Sequence, residues 1–215
     1  DTNAHAKGFD RSFTLLQGVD LHFKNTPNRY KRIANYTEDG KEVSFSELPA
    51  DFFSTDYYTD KLLQYFDKDQ NSNKPFFAFA AYTAPHWPIQ APQAFSDKYK
   101  GKYDVGYDVI RNNRIARQKQ LGIIPVNFNP AQPLETANIP NYPTWDNLSP
   151  EQKAFEPRKM EIYAGMVENL DHNVGRIIQY LKDHGQYDNT LIFFVSDNGA
   201  EGFLLNSVDE TVFDQ

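Results

Sequence analysis

The stretch FFVSDNGAEG, residues 193–202, runs from apolar side chains into an acid, an amide and a glycine: Asp197, Asn198 and Gly199. Carboxylate and amide oxygens are hard donors, so a site built on them favours Ca²⁺, and less readily Mg²⁺, over Zn²⁺. Two such ligands hold neither ion, and at least two further carboxylates must come from elsewhere in the fold. A second polar cluster follows another apolar run, where residues 76–82 lead into Thr83, Ala84, Pro85 and His86. An imidazole can donate or accept a proton near neutral pH, and Pro85 and Pro88 restrict the backbone on either side of it. Read alone, SDNG is an ordinary turn sequence, and a histidine beside Trp87 is an ordinary packing residue.

The elements that must position these groups follow from periodicity. Residues 76–82 and 191–195 are short, unbroken and apolar, the pattern of strands covered on both faces in a parallel sheet. If they are parallel strands of one sheet, His86 and the Asp197–Asn198 pair share the edge where ligands bind such folds. The segment 158–185 places Ile162, Met166, Leu170, Val174, Ile177 and Leu181 on one helical face, and Gly185 suits the turn that ends it. Helix, short loop and buried strand make half of a βαβ unit. A second helix is expected over 54–68, capped by Ser54 with Asp56 in its first turn, and a third over 107–122. YTEDGKEV (36–43) reads as a hairpin about Asp39 and Gly40. The acids of 151–171 and His172 are expected on solvated helix faces, and a Pro- and Asn-rich stretch over 124–143 reads as a long loop. His5, His22 and His184 fall in no pattern.

Composition narrows the class. The 215 residues include 17 Phe and 13 Tyr, so an aromatic core is expected and disorder is excluded. The net charge is -7 and no Lys/Arg stripe stands out, which argues against nucleic acid as a partner. Cysteine is absent, which rules out disulfides and a cysteine nucleophile within these residues. No apolar run approaches the ~18 residues of a membrane span. Beginning at Asp1, without methionine or a signal-like segment, the chain reads as a piece of a longer protein.

Four motifs occur in order: TAPHWPIQAP, YDVGYDVIRNNRIARQKQLGI, MEIYAGMVENLDHNVGRIIQYL and DNTLIFFVSDNGAEG. Together they resemble the middle of bacterial arylsulfatases of the formylglycine-dependent sulfatase family, over about residues 5–202. The resemblance implies an α/β fold of the alkaline-phosphatase-like kind, a mostly parallel sheet flanked by helices, present here in incomplete form. It implies hydrolysis of small-molecule or glycan sulfate esters by a hydrated formylglycine, made from Cys or Ser in a Cys/Ser-x-Pro-x-Arg motif. By the same resemblance Asp197 and Asn198 match two calcium ligands, Asp197 also takes a proton from the attacking hydrate, and His86 contacts the sulfate or the leaving oxygen. Relatives of this kind are often periplasmic or secreted.

No Cys/Ser-x-Pro-x-Arg sequence occurs in the chain, and the family's early Asp ligands, its Lys-x-His pair and its late lysine have no counterparts. The expectation is therefore that residues 1–215 are an internal part of one catalytic domain, with the nucleophile upstream. A phosphomonoester or phosphonate-ester hydrolase of the same superfamily, and an inactive homologue that binds a sulfated glycan or a protein, remain alternatives.

Overall fold

Asp39 and Gly40 turn the expected hairpin. Both have positive φ, 49° and 78°, the turn geometry whose twist matches the strands on either side. In this computed structural model, which describes residues 3–24, 34–72, 74–131, 144–200 and 213–214, they join β2 (Tyr36–Glu38) to β3 (Lys41–Val43). Strand β1 (Phe13–Leu15) pairs antiparallel with β2, Phe13 opposite Glu38. Tyr36, 1% exposed, stacks on Phe13 at 5.2 Å between centroids and meets Phe52 edge-on at 5.7 Å. The aromatic composition thus supplies this core.

Helix α1 (Ser54–Asp69) follows the expected period, but Ser54 does not cap it. Phe53 holds the cap position, and the Ser54 hydroxyl lies against the ring of His22 instead. Two further helices, α2 (Gln93–Ser96) and α3 (Tyr107–Gln120), precede the longest, α4 (Pro150–Asp183). Helix α4 begins before the expected residue 158. Ser149 and Gln152 bond each other's backbone N–H in a capping box, and Pro150 takes the first turn, where no N–H is needed.

The inner face of α4 is more polar than its apolar period predicts. Ile162, Met166 and Leu181 are buried, whereas Leu170, Val174 and Ile177 are only half-buried. Asn169 and Asn173 are fully buried, and their amides donate to Asp56 Oδ1 of α1 at 2.9 and 2.6 Å. Glu161, expected on the solvated face, is also buried and accepts from the Gly101 amide at 2.6 Å and from Arg158 at 2.8 Å. His172 is exposed as expected, with its ring beside Phe95.

Further along the same seam Asp60 pairs with Arg176, and Asp67 accepts from the Tyr180 hydroxyl at 2.8 Å. Partners on α1 and α4 rise together in number, so the two helices run in the same direction. Each is followed by one of the two apolar runs. This repeated helix-then-extended-run order is the connectivity of an α/β fold, present in incomplete form.

The two runs correct one expectation. Residues 76–82 and 191–195 carry no helix, turn or strand pairing among the described residues, and they are not paired with each other. Phe77 and Phe193 are each 80% exposed. A strand of a parallel sheet exists through its neighbours' hydrogen bonds, and the described residues supply none at these edges. The first run is held to α1 by side chains alone: Phe76 lies 4.9 Å from Phe66, and the Tyr82 hydroxyl is 2.7 Å from Thr59 Oγ1. The parallel pairing that is present joins β4 (Gln90–Ala91) to β5 (Phe213–Asp214). Part of the Pro- and Asn-rich stretch (132–143) and residues 201–212 lie outside the described residues. No described helix is long and apolar enough to cross a membrane.

A second core joins β4 to α4 through Ala84, Ala91, Ile162 and Met166. Approach is closest at Gly165, where an added Cβ would stand 2.8 Å from the Ser96 backbone. His22 belongs to neither cluster yet has no accessible surface. Its amide donates to Gln90 Oε1 at 2.6 Å, and its carbonyl accepts from the Ser54 amide at 2.8 Å. Burial is the main reason its pKa falls from 6.5 to about 4; positive charge on His86 lowers it further, and a hydrogen bond to the His86 carbonyl partly opposes the fall.

Two outcomes follow. Gly165→Val is expected to cost about 1–3 kcal/mol in urea unfolding, because backbone rather than a flexible side chain must move. The unfolded chain protonates His22 below pH 6.5, while the folded chain resists until about pH 4. Stability from this group is therefore complete above pH 6.5 and is lost as pH falls towards 4, by roughly 3 kcal/mol in all. His22→Gln is expected to remove that component from the pH dependence of unfolding; an unchanged slope between pH 6.5 and 4 would show that His22 is not its source.

Candidate functional site

The polar residues that follow the two apolar runs line one open cleft. It takes in Thr83 to His86 and Ser196 to Ala200, together with Lys7 and Lys74, and has a volume of about 2100 Å³. The structure thus brings His86, Asp197 and Asn198 to a common cavity, although more than a hundred positions separate them in sequence. The unpaired run of residues 76–82 lines the same cleft.

His86 is exposed, and its orientation comes from local backbone bonds. Its amide donates to the Thr83 carbonyl at 2.9 Å, and Nδ1 lies 2.6 Å from the Trp87 carbonyl. A carbonyl only accepts, so Nδ1 carries a proton and Nε2 is the nitrogen left for a ligand. When the ring is charged, Nε2–H donates; when it is neutral, Nε2 accepts. The Ala84–Pro85 and Trp87–Pro88 peptides on either side are cis. The buried His22 ring reaches the His86 carbonyl through Nε2 at 3.3 Å.

Residues 196–200 are exposed, and the loop closes on itself. The Ser196 hydroxyl donates to the Asn198 carbonyl at 2.6 Å, and the Asn198 amide nitrogen donates to the Gly199 carbonyl at 2.8 Å. With Nδ2 so engaged, Asn198 Oδ1 is the end available to a cation, next to the Asp197 carboxylate. The donor set is hard oxygen at a solvent-open edge, which fits Ca²⁺ or Mg²⁺ but supplies only part of a shell. Among the described residues, no group of three or more His, Asp or Glu side chains converges as a metal site.

The remaining charges of the cleft are mostly committed. Arg11 pairs with Asp69 at 2.9 Å, Lys61 with Glu38 at 2.7 Å, and Lys159 with Glu156. His184 stacks on Tyr180 at 3.9 Å, and its Nδ1 donates to the carbonyl of the same residue. His22 is the residue that the sequence did not mark. No motif or period surrounds it, and its contacts with residues 54, 86 and 90 all span the fold.

The sulfatase family model matches residues 1–205 of the chain. An uncharacterized sulfatase of Schizosaccharomyces pombe is 42% identical over 94% of the chain and 36% of its own length. An arylsulfatase of Klebsiella aerogenes is 35% identical over 95% of the chain and 43% of its own length. The chain thus spans well under half of either curated relative. The crystal structure of Ps i-CgsB in complex with k-i-k-neocarrahexaose aligns over 87% of the chain and 32% of its own, with a TM-score of 0.50 and 23% identity, a likeness of fold. With the match of the family model over nearly its whole length, the chain belongs to the sulfatase family.

Proposed function

We propose that the complete protein hydrolyses sulfate monoesters, as an arylsulfatase, and that residues 1–215 contribute one catalytic histidine and part of a calcium site to it. The observation that carries this reading is the shared cleft: a histidine with Nε2 free and a pair of hard-oxygen donors face one cavity in a sulfatase-family chain. Asp197 and Asn198 Oδ1 are the residues that would hold the cation. When bound, Ca²⁺ neutralises sulfate oxygens and draws electron density from sulfur.

The chain's own groups then have separate tasks. His86, with Nδ1–H committed to the Trp87 carbonyl, presents Nε2–H to a sulfate oxygen or to the oxygen that departs. Passing that proton to the leaving aryloxide or alkoxide spares it from leaving as a free anion. Asp197 would accept the proton of the attacking hydroxyl, the group that a hydrated formylglycine would supply. Lys7 and Lys74 add positive charge to the approach.

The test uses full-length protein with 4-nitrophenyl sulfate and 4-nitrophenyl phosphate. Turnover of the sulfate is expected, lost on chelation and restored by Ca²⁺. Asp197→Ala is expected to lower kcat by roughly 10²–10³-fold, while the melting transition stays close to that of the parent because the side chain is exposed. Preference for the phosphate ester would assign the rival hydrolase activity. Sulfate turnover undiminished in Asp197→Ala would refute the roles given to this loop.

A further inference from the structure

The two nitrogens of the His22 ring face unlike partners. Nε2 lies 3.3 Å from the His86 carbonyl oxygen, which only accepts, so Nε2 carries the proton. Nδ1 therefore accepts from the Ser54 hydroxyl at 2.7 Å. The peptide is fixed as firmly, through Gln90 Oε1 on one side and the Ser54 amide on the other. A residue without accessible surface thus ties the start of α1, strand β4 and the His86 loop together. His86 itself is exposed and takes its direction from the backbone that carries it.

We infer that His22 is a positioning residue for His86: by donating Nε2–H to the His86 carbonyl, it sets the loop backbone from which the His86 imidazole reaches the anion. This inference rests on the proposed sulfate-ester role of His86. An apolar side chain of similar volume would fill the same space but leave the His86 carbonyl and the Ser54 hydroxyl without their ring partner. Glutamine would keep both bonds, because its amide offers one donor and one acceptor at a comparable spacing.

That difference defines the experiment, made in the full-length protein on aryl sulfates of graded leaving-group acidity. His22→Leu is expected to lower kcat by about 10–100-fold, most on the poorest leaving groups, with KM within about 3-fold. His22→Gln is expected to stay within about 3-fold of the parent. In a His86→Ala background, His22→Leu is expected to cost no more than about 2-fold, since its effect passes through the missing ring. Equal losses in both backgrounds would overturn the inference, as would equal activities for the Leu and Gln variants. If His22→Leu does not fold, Ser54→Ala, which strips the donor from Nδ1, enters the same cycle with the same criteria.

A readout independent of turnover separates this inference from the proposed reaction. In spectra of ¹⁵N-histidine-labelled protein, His22 is expected as the Nε2–H tautomer at neutral pH. An Nδ1–H tautomer would refute the clamp whatever the enzyme does. The expected tautomer in a protein that leaves every sulfate ester intact would refute the reaction and leave the clamp standing.

Discussion

One buried histidine ties together the start of α1, strand β4 and the His86 loop. His22 must be neutral, because burial penalises its charged form, and it must be one tautomer, because a carbonyl and a hydroxyl face its two nitrogens. Those requirements fix where the His86 loop can lie relative to the first turn of α1. The His22 partners Ser54 and Gln90 are sequence neighbours of Phe52 in the aromatic cluster and of Ala91 in the Met166 cluster. A protonated or missing ring would leave polar groups facing a space closed to water. The geometry of the cleft therefore depends on an interaction that lies beneath it.

The parallel helices supply the second constraint. Asp56 accepts from both Asn169 and Asn173, and the charged and aromatic pairs beyond it keep α1 and α4 in step. Because each helix leads into an apolar run, locking the helices side by side sends both runs back towards one cleft. The shared lining of the cleft is thus a consequence of connectivity. His86 and Asp197 need no direct bond to be brought together; they need only follow equivalent elements.

Much of this was legible in the sequence, and what escaped has physical causes. The helices announced themselves by period, and Asp39-Gly40 announced its hairpin by turn chemistry. His86, Asp197 and Asn198 could be singled out because each follows an apolar run, and the same sequence order puts them on the lining of one cleft. The start of α4 was missed because Pro150 and Pro157 look like helix breakers, yet one occupies the first turn and the other lies within the helix as built. The burial of Glu161, Asn169 and Asn173 was not legible, because composition cannot show that partners on other elements await their side chains. The apolar runs read as paired strands because residue type reports burial preference, whereas pairing depends on neighbours in space. His22 left no trace at all, since every partner that gives it meaning is distant in sequence.

The central claim is that His86 and the Asp197–Asn198 pair serve one bound oxyanion. A crystal structure of the full-length protein with Ca²⁺ and sulfate tests it most directly. The account predicts one cation at about 2.3–2.6 Å from the Asp197 carboxylate and Asn198 Oδ1, and one sulfate that both ligates it and accepts from His86 Nε2. A cation held without Asp197, or a sulfate in the active cleft with His86 Nε2 more than ~15 Å from that cation, would contradict it, because hydrogen and metal bonds to one small anion span only a few ångströms.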